Sequence, residues 1–205
     1  MTTAKIPDII IGRLPVYLRA LQRLSEQGTQ TTSSQELGDN VGISAAQIRK
    51  DISQFGEFGK QGTGYDIHYL IEKLQDILQV NRVWEVVIVG LGDIGSALAR
   101  YNGFSNRGFH VSMVFDSDPE KVGKRVADVE VLDSSTMIDR IKAQKIRVAM
   151  LTVPATSAQE AADQLVKAGV KAILNYAPIS LNVPEDVKVQ YIDPVAHLQR
   201  MTYYL

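Results

Sequence analysis

The stretch Val86-Val87-Ile88-Val89-Gly90-Leu91-Gly92-Asp93-Ile94-Gly95-Ser96-Ala97-Leu98-Ala99 decides how this chain is read. Apolar β-formers run into a G-x-G-x-x-G turn and then into a helix start. Each glycine has its own task in such a turn. Gly90 permits the sharp exit from the strand, Gly92 leaves the backbone bare where a pyrophosphate approaches, and Gly95 lets the helix lie close on the strand. The N–H groups around Leu91, Asp93 and Ile94 then face the phosphates. A second apolar run at 111–115 ends in Asp116, about 20 residues past the last glycine, where the ribose-binding acid of a dinucleotide fold belongs. A carboxylate there accepts both hydroxyls of the adenosine ribose and repels a 2′-phosphate. NAD(H) is therefore expected, rather than NADP(H).

Outward from this unit, strands are expected at 85–89, 110–115, 148–153, 172–174 and 187–192. Helical patterns fall between them, one opened by a capping box of Ser157 with Glu160 and closed by Gly169. Such alternation means a parallel sheet with helices on both faces. The nicotinamide end belongs outside the carboxyl ends of other strands. The candidates are the strand ends Thr152-Val153-Pro154-Ala155 and Asn175-Tyr176-Ala177-Pro178-Ile179, with Val153, Pro154, Asn175, Ala177 and Pro178 as the site residues. These strand ends are largely apolar. A neutral dihydronicotinamide suits them better than the cationic oxidised ring, so NADH is expected to bind better than NAD⁺.

The whole chain has 205 residues, 45% of them apolar and 22% charged, which fits two compact units with buried cores. It has no cysteine, which excludes thiolate catalysis, disulfides and Cys-ligated zinc. No metal site is expected. No run approaches ~18 apolar residues, and the first residues lack the apolar core of a secretory signal, so a cytoplasmic protein is expected. A net charge of −1 gives no bulk argument for a nucleic-acid partner, so any such reading rests on local arrangement.

Residues 1–80 read differently, as helices with one glycine-rich interruption. A first helix is expected from Leu14, with Pro15 in its first turn and Leu14, Tyr17, Leu18, Leu21 and Leu24 on one face. Capping boxes of Ser33 with Glu36 and Ser44 with Gln47 open two short helices around the turn Val41-Gly42-Ile43. A last helix is expected from His68. Before it, Gly56-Glu57-Phe58-Gly59-Lys60-Gln61-Gly62-Thr63-Gly64-Tyr65 suits a tight hairpin. That order is a winged helix-turn-helix. The helix at 45–55 buries Ile48, Ile52 and Phe55 and turns Ala46, Gln47, Arg49, Lys50 and Ser53 outward, as a recognition helix must. Ser44 caps it, small Ala45 and Ala46 allow close approach, and Gln47 or Arg49 could reach base edges. Lys50, Lys60, Arg13 and Arg19 are phosphate candidates, with Gln61 and Gly62 beside Lys60 on the wing. A plain helical bundle with solvated charges would share the helix pattern, and the wing favours the DNA reading.

With these residues assembled, the chain resembles the Rex family of redox-sensing transcriptional repressors. The resemblance is carried by Ser44-Ala45-Ala46-Gln47-Ile48-Arg49-Lys50-Asp51 and Phe55-Gly56-Glu57-Phe58-Gly59-Lys60-Gln61-Gly62. It is carried also by the glycine turn with Tyr101-Asn102-Gly103-Phe104, and by Leu151-Thr152-Val153-Pro154-Ala155 and Ile173-Leu174-Asn175-Tyr176-Ala177-Pro178. It runs in order from about Pro7 to the C-terminus. The resemblance implies a winged helix-turn-helix domain at 1–80, a Rossmann-like NAD(H) domain at 81–192, and a swapped C-terminal helix at 193–205. It implies a homodimer that binds palindromic operators when NADH is low and releases them when NADH rises. It places Tyr101 near the nicotinamide at the dimer contact. Arg19 and Asp193 are opposite charges whose positions allow a pairing between the two domains.

Two rival readings remain. An NAD-dependent dehydrogenase needs a substrate domain and a proton-transfer group. After Val153 the chain offers only His197, and residues 14–78 go unexplained, so no catalytic residue is assigned and an enzyme is not expected. A CoA-binding module uses a similar turn, but CoA carries a 3′-phosphate on the ribose that Asp116 would face.

Overall fold

The structure, a computed structural model, describes residues 6–60 and 64–205. Gln61 and Gly62 lie outside the described residues, as does the side chain of Lys60. The chain divides into two compact units, residues 1–82 and 83–205.

The first unit contains α1 (Asp8–Glu26), β1 (Thr31–Thr32), α2 (Ser34–Val41), α3 (Ala45–Ser53), β2 (Gly59–Lys60), β3 (Gly64–Asp66) and α4 (Ile67–Leu78). The strands form a small antiparallel sheet in the order β1-β3-β2. Helix α1 starts at Asp8, not at Leu14, and carries Pro15 in its interior. The earlier start adds Ile10 to the buried stripe of Leu14, Tyr17, Leu18, Leu21 and Leu24. Pro15 cannot bond the carbonyl four residues back. It lies on the exposed side of α1, where water can take that carbonyl instead. Ser33, Ser44 and Asp66 cap α2, α3 and α4 as oxygen acceptors for Glu36, Gln47 and Tyr69 N–H. One core holds the unit together, from Leu14, Tyr17 and Leu21 through Leu37, Ile48 and Ile52 to Ile67, Leu70 and Leu74.

The second unit contains β4 (Trp84–Val89), α5 (Asp93–Ala99), a 3-10 turn (Asn102–Arg107), β5 (Phe109–Asp116), β6 (Arg125–Val126) and β7 (Val129–Asp133). It continues with α6 (Met137–Gln144), β8 (Val148–Leu151), α7 (Ala155–Ala168), β9 (Ala172–Asn175), β10 (Lys188–Tyr191) and α8 (Pro194–Thr202). The sheet order is β10-β9-β8-β4-β5-β7-β6, parallel throughout except for the β6–β7 pair. Counted from β4, this is the doubly wound dinucleotide order, and the direction of winding reverses between β4 and β8. One face packs on α6 and α7 through Val87, Val89, Phe115, Leu151, Ala158 and Leu165. The other buries Val86, Ile88, Val114 and Met150 beneath Leu98 and Phe104.

Three readings change here. The antiparallel β6–β7 hairpin adds to the expected strands, since Val129 to Asp133 alternates too briefly to be told from loop in the sequence. Residues 148–153 are a strand only to Leu151, since Pro154 starts the turn into α7. Helix α7 begins at Ala155 behind Pro154, so Ser157 is inside it and the Ser157–Glu160 capping box does not form.

Candidate dinucleotide cavity and recognition helix

The glycine turn packs as its spacing requires. Gly90 has φ +96°, and a Cβ there would come within 2.8 Å of both Thr152 O and Val153 Cγ1. The Thr152 hydroxyl donates to Gly90 O at 2.7 Å and ties the turn to the end of β8. A Cβ on Gly95 would run into Gly90 O. Gly92, in contrast, has nothing within 4 Å of its Cβ position, so its backbone is open to a ligand.

A cavity of about 750 Å³ opens at this switch point. Gly90, Gly92, Asp93 and Ile94 line it from the turn, and Asp116, Ser117, Asp118 and Lys121 from the end of β5. Thr152, Val153 and Pro154 follow β8, Tyr176 and Pro178 follow β9, and Ser134 and Met137 precede and begin α6. Ser157, Glu160, Ala161 and Gln164 come from α7.

The Asp116 carboxylate is buried at 8% exposure. Its Oδ2 accepts the Leu91 N–H at 2.6 Å, its Oδ1 accepts the Asp118 N–H at 2.8 Å, and Lys121 Nζ lies 3.4 Å from Oδ2. Burial pushes its pKa up, but the Asp118 and Leu91 N–H groups and the Lys121 ammonium outweigh that and hold it below the usual carboxylate range. The group is an anion, and Oδ1, which accepts a single N–H, keeps a lone pair for a ribose hydroxyl.

Of the residues expected at the cofactor, Gly90, Gly92, Asp93, Ile94, Asp116, Val153, Pro154 and Pro178 line the cavity. The other five have different places. Gly95 supports the turn from behind, and Leu91 contributes its N–H to Asp116 while its side chain packs on the core. Asn175 is fully buried, and its amide is spent on its own loop. Nδ2 donates to Ala177 O at 3.1 Å and Ile179 O at 3.0 Å, while Oδ1 accepts Ala177 N–H at 2.9 Å. Asn175 and Ala177 thus shape the loop that presents Tyr176 and Pro178. Tyr101 is half exposed, edge-on to Phe104 at 5.0 Å, and is not part of the cavity lining. Thr152 and Tyr176, within the two candidate strand ends, also line the cavity, whereas Lys121 and the α7 face are not among the sequence candidates. Ser157, Glu160 and Gln164 stand at i, i+3 and i+7, a spacing that could have marked one helix face.

On α3, Ala46, Arg49 and Lys50 are exposed, and Ala45 and Gln47 are half-buried. Arg49 Nη1 donates to Ser34 Oγ on α2 at 2.8 Å. The unforeseen residue is Asp51, which is fully buried. Its carboxylate accepts Arg13 Nε at 2.6 Å and Nη2 at 2.7 Å, Tyr17 OH at 2.7 Å and Gln47 Nε2 at 2.6 Å. Burial pushes the Asp51 pKa up, but the hydrogen bonds of Arg13, Tyr17 and Gln47 prevail and lower it. Arg13 was expected on a DNA phosphate. The structure instead commits two of its nitrogens to fastening α1 to α3, a bidentate bond that needs a planar guanidinium.

Comparison with known proteins accounts for both units. A family model described as "CoA binding domain" matches residues 81–179, and one described as "Putative DNA-binding protein N-terminus" matches residues 5–53. The redox-sensing transcriptional repressor Rex of Chloroflexus aggregans is 52% identical over 199 residues, which cover 97% of this chain and 94% of that protein. Rex of Desulforamulus reducens is 45% identical over 205 residues, covering 100% and 98%. Among solved structures, RSP in complex with beta-NAD⁺ and operator DNA superposes with a TM-score of 0.93 at 39% identity, covering 97% of this chain and 92% of that one. RSP in complex with beta-NADH gives a TM-score of 0.89 at 36% identity, covering 98% and 94%.

Proposed function

This chain belongs to the Rex family of redox-sensing transcriptional repressors, and from that premise we propose that it binds operator DNA when NADH is scarce and leaves it when NADH fills the cavity. The family is one of repressors, not of enzymes. The observation that carries the reading is the pairing, in one chain, of a capped recognition helix with a dinucleotide cavity whose ribose carboxylate is already oriented.

The pyrophosphate lies against Gly92 and the first turn of α5, and the adenosine ribose on Asp116. The nicotinamide lies toward Val153, Pro154, Tyr176 and Pro178, where an uncharged ring is favoured over a cationic one. Lys50, Arg49 and Lys60 serve phosphates and base edges, together with Gln61 and Gly62, which follow Lys60 in sequence. A homodimer on a palindromic site supplies two recognition helices at fixed spacing. Helix α8 and the three residues after it support the dimer, since Val195, Leu198 and Met201 on the helix and Tyr203, Tyr204 and Leu205 beyond it are all exposed and a second copy would cover them. NADH drives release only to the extent that it prefers the arrangement that cannot bind DNA. Asp193 caps α8, accepting Val195 N–H at 2.9 Å.

A CoA ligand is the second reading, favoured by the family model over residues 81–179. The buried Asp116 anion opposes it, because the ribose 3′-phosphate of CoA would meet a like charge.

The test is fluorescence anisotropy on a labelled palindromic operator at one stated salt concentration, titrated with NADH, NAD⁺ and CoA. NADH is expected to release the DNA at concentrations where NAD⁺ and CoA do not. DNA binding that ignores NADH overturns the reading.

A further inference from the structure

Lys121 stands beside the ribose carboxylate and places its ammonium between two carboxylates. Its Nζ lies 3.4 Å from Asp116 Oδ2 and 3.7 Å from Asp118 Oδ2, and it lines the cavity together with both carboxylates and Ser117. A turn fixes its origin, with Lys121 N–H donating to Asp118 O at 3.0 Å. Three donors therefore converge on Asp116: the Leu91 N–H at 2.6 Å, the Asp118 N–H at 2.8 Å and the Lys121 ammonium. Two backbone N–H groups and an ammonium are also what a phosphate oxygen seeks. The Asp116 carboxylate occupies a seat built for an anion.

We propose that Lys121, with the Leu91 and Asp118 N–H groups, forms a latent 2′-phosphate seat that Asp116 fills, so that Asp116 and Lys121 together determine which dinucleotide enters. This rests on reading the cavity as a dinucleotide site. In the parent chain, two carboxylates face one ammonium, and a 2′-phosphate would add a charge of about −1.5 to −2 to that excess. A 2′-hydroxyl brings none and can donate to Asp116. With Asp116 replaced by serine, the excess negative charge is gone. The three donors keep their places, and the shorter side chain leaves room for phosphate oxygens. The lysine head, a compact charge on a flexible stem, can follow the phosphate from its present place between Asp116 and Asp118.

The test compares the parent with Asp116→Ser, Asp116→Asn and the double variant Asp116→Ser, Lys121→Met. Each is titrated calorimetrically with NADH and with NADPH, and thermal melting checks that each folds. The parent is expected to bind NADH and to refuse NADPH. Asp116→Ser should lower the NADPH Kd about tenfold or more, and Lys121→Met on that background should abolish the gain. The proposal is overturned if no folded Asp116 variant gains NADPH affinity, or if the gain persists without Lys121. A parent that binds neither dinucleotide overturns the reading of the cavity itself, so the two failures are told apart.

Discussion

Replacing Asp51 by asparagine tests whether the recognition helix is held by a buried anion. The change preserves shape and removes one charge. The carboxylate is fully buried and accepts four hydrogen bonds, two of them from Arg13, whose side chain is 22% exposed. An asparagine has one acceptor oxygen and turns an NH₂ toward donors of its own kind. Removing one partner of a buried pair costs about 3–5 kcal/mol. Partial rehydration of Arg13 trims this to roughly 2–4 kcal/mol, a large share of the ~5–15 kcal/mol that holds a domain folded. The assay is urea unfolding of the full chain with two probes. The one tryptophan, Trp84, lies in β4 and reports the second unit, while far-UV circular dichroism also registers the four helices of the first. With m of about 1–3 kcal/mol/M, the dichroism transition of the helical unit should fall by about 1 M urea or more, while the Trp84 transition holds. A fall below about 0.3 M would refute the argument. Acid unfolding supplies a second check. The folded pKa of Asp51 is lowered, so its contribution is complete above the unfolded carboxylate value and is lost as pH falls toward the folded one. Asp51→Asn should flatten that part of the acid limb.

The other predictions concern the second unit and its coupling to DNA. Gly90→Ala puts a Cβ within 2.8 Å of Thr152 O at a φ of +96°, and should destabilise the Trp84 transition by about 1–3 kcal/mol, read by the same urea titration. Leu198→Glu with Met201→Glu charges the exposed apolar face of α8, and should convert a dimer to a monomer in light scattering while leaving the melting of a separately folded monomer measurable. Unaltered mass would remove α8 from the interface. Saturating operator DNA should weaken NADH binding by the same factor by which NADH weakens DNA binding, because the two affinities are linked. Calorimetry with and without DNA measures that factor, and unequal factors would show that the preparation is not at equilibrium or that the two ligands do not share one protein species.

The features legible in the sequence are those written in local spacing. The strand, turn and helix from Val86 to Ala99, the caps at Ser33 and Ser44, and the apolar stripe of α1 each depend on residues a few positions apart. What could not be read are roles set by distant partners. Asn175 and Pro178 stand three residues apart at one strand end, yet one ties its own loop together and the other lines the cavity. Arg13 looked like a surface cation because Asp51, 38 positions away, gives no sign in sequence of being buried. Lys121 looked like an ordinary charge because its meaning comes from the Leu91 N–H, which shares its carboxylate.

The same distinction resolves the charge argument. A net charge of −1 gives no bulk reason to expect DNA affinity. Along α3 the run Arg49-Lys50-Asp51 likewise sums to little. Folding separates those charges. Asp51 turns into the core, where Arg13 of α1 neutralises it, while Arg49 and Lys50 remain exposed. The outward face of the recognition helix is therefore more positive than its sequence, and phosphates respond to the face. Lys50→Ala should accordingly lower operator affinity and reduce by about one the slope of log K against log salt. Asp51→Asn removes no charge from that outward face and uncovers only the Arg13 guanidinium, 22% exposed on α1, so in the fraction that remains folded it should change the slope by much less than Lys50→Ala does. If both substitutions alter the slope equally, Asp51 is not shielded as its burial requires, and the charge separation argued here fails.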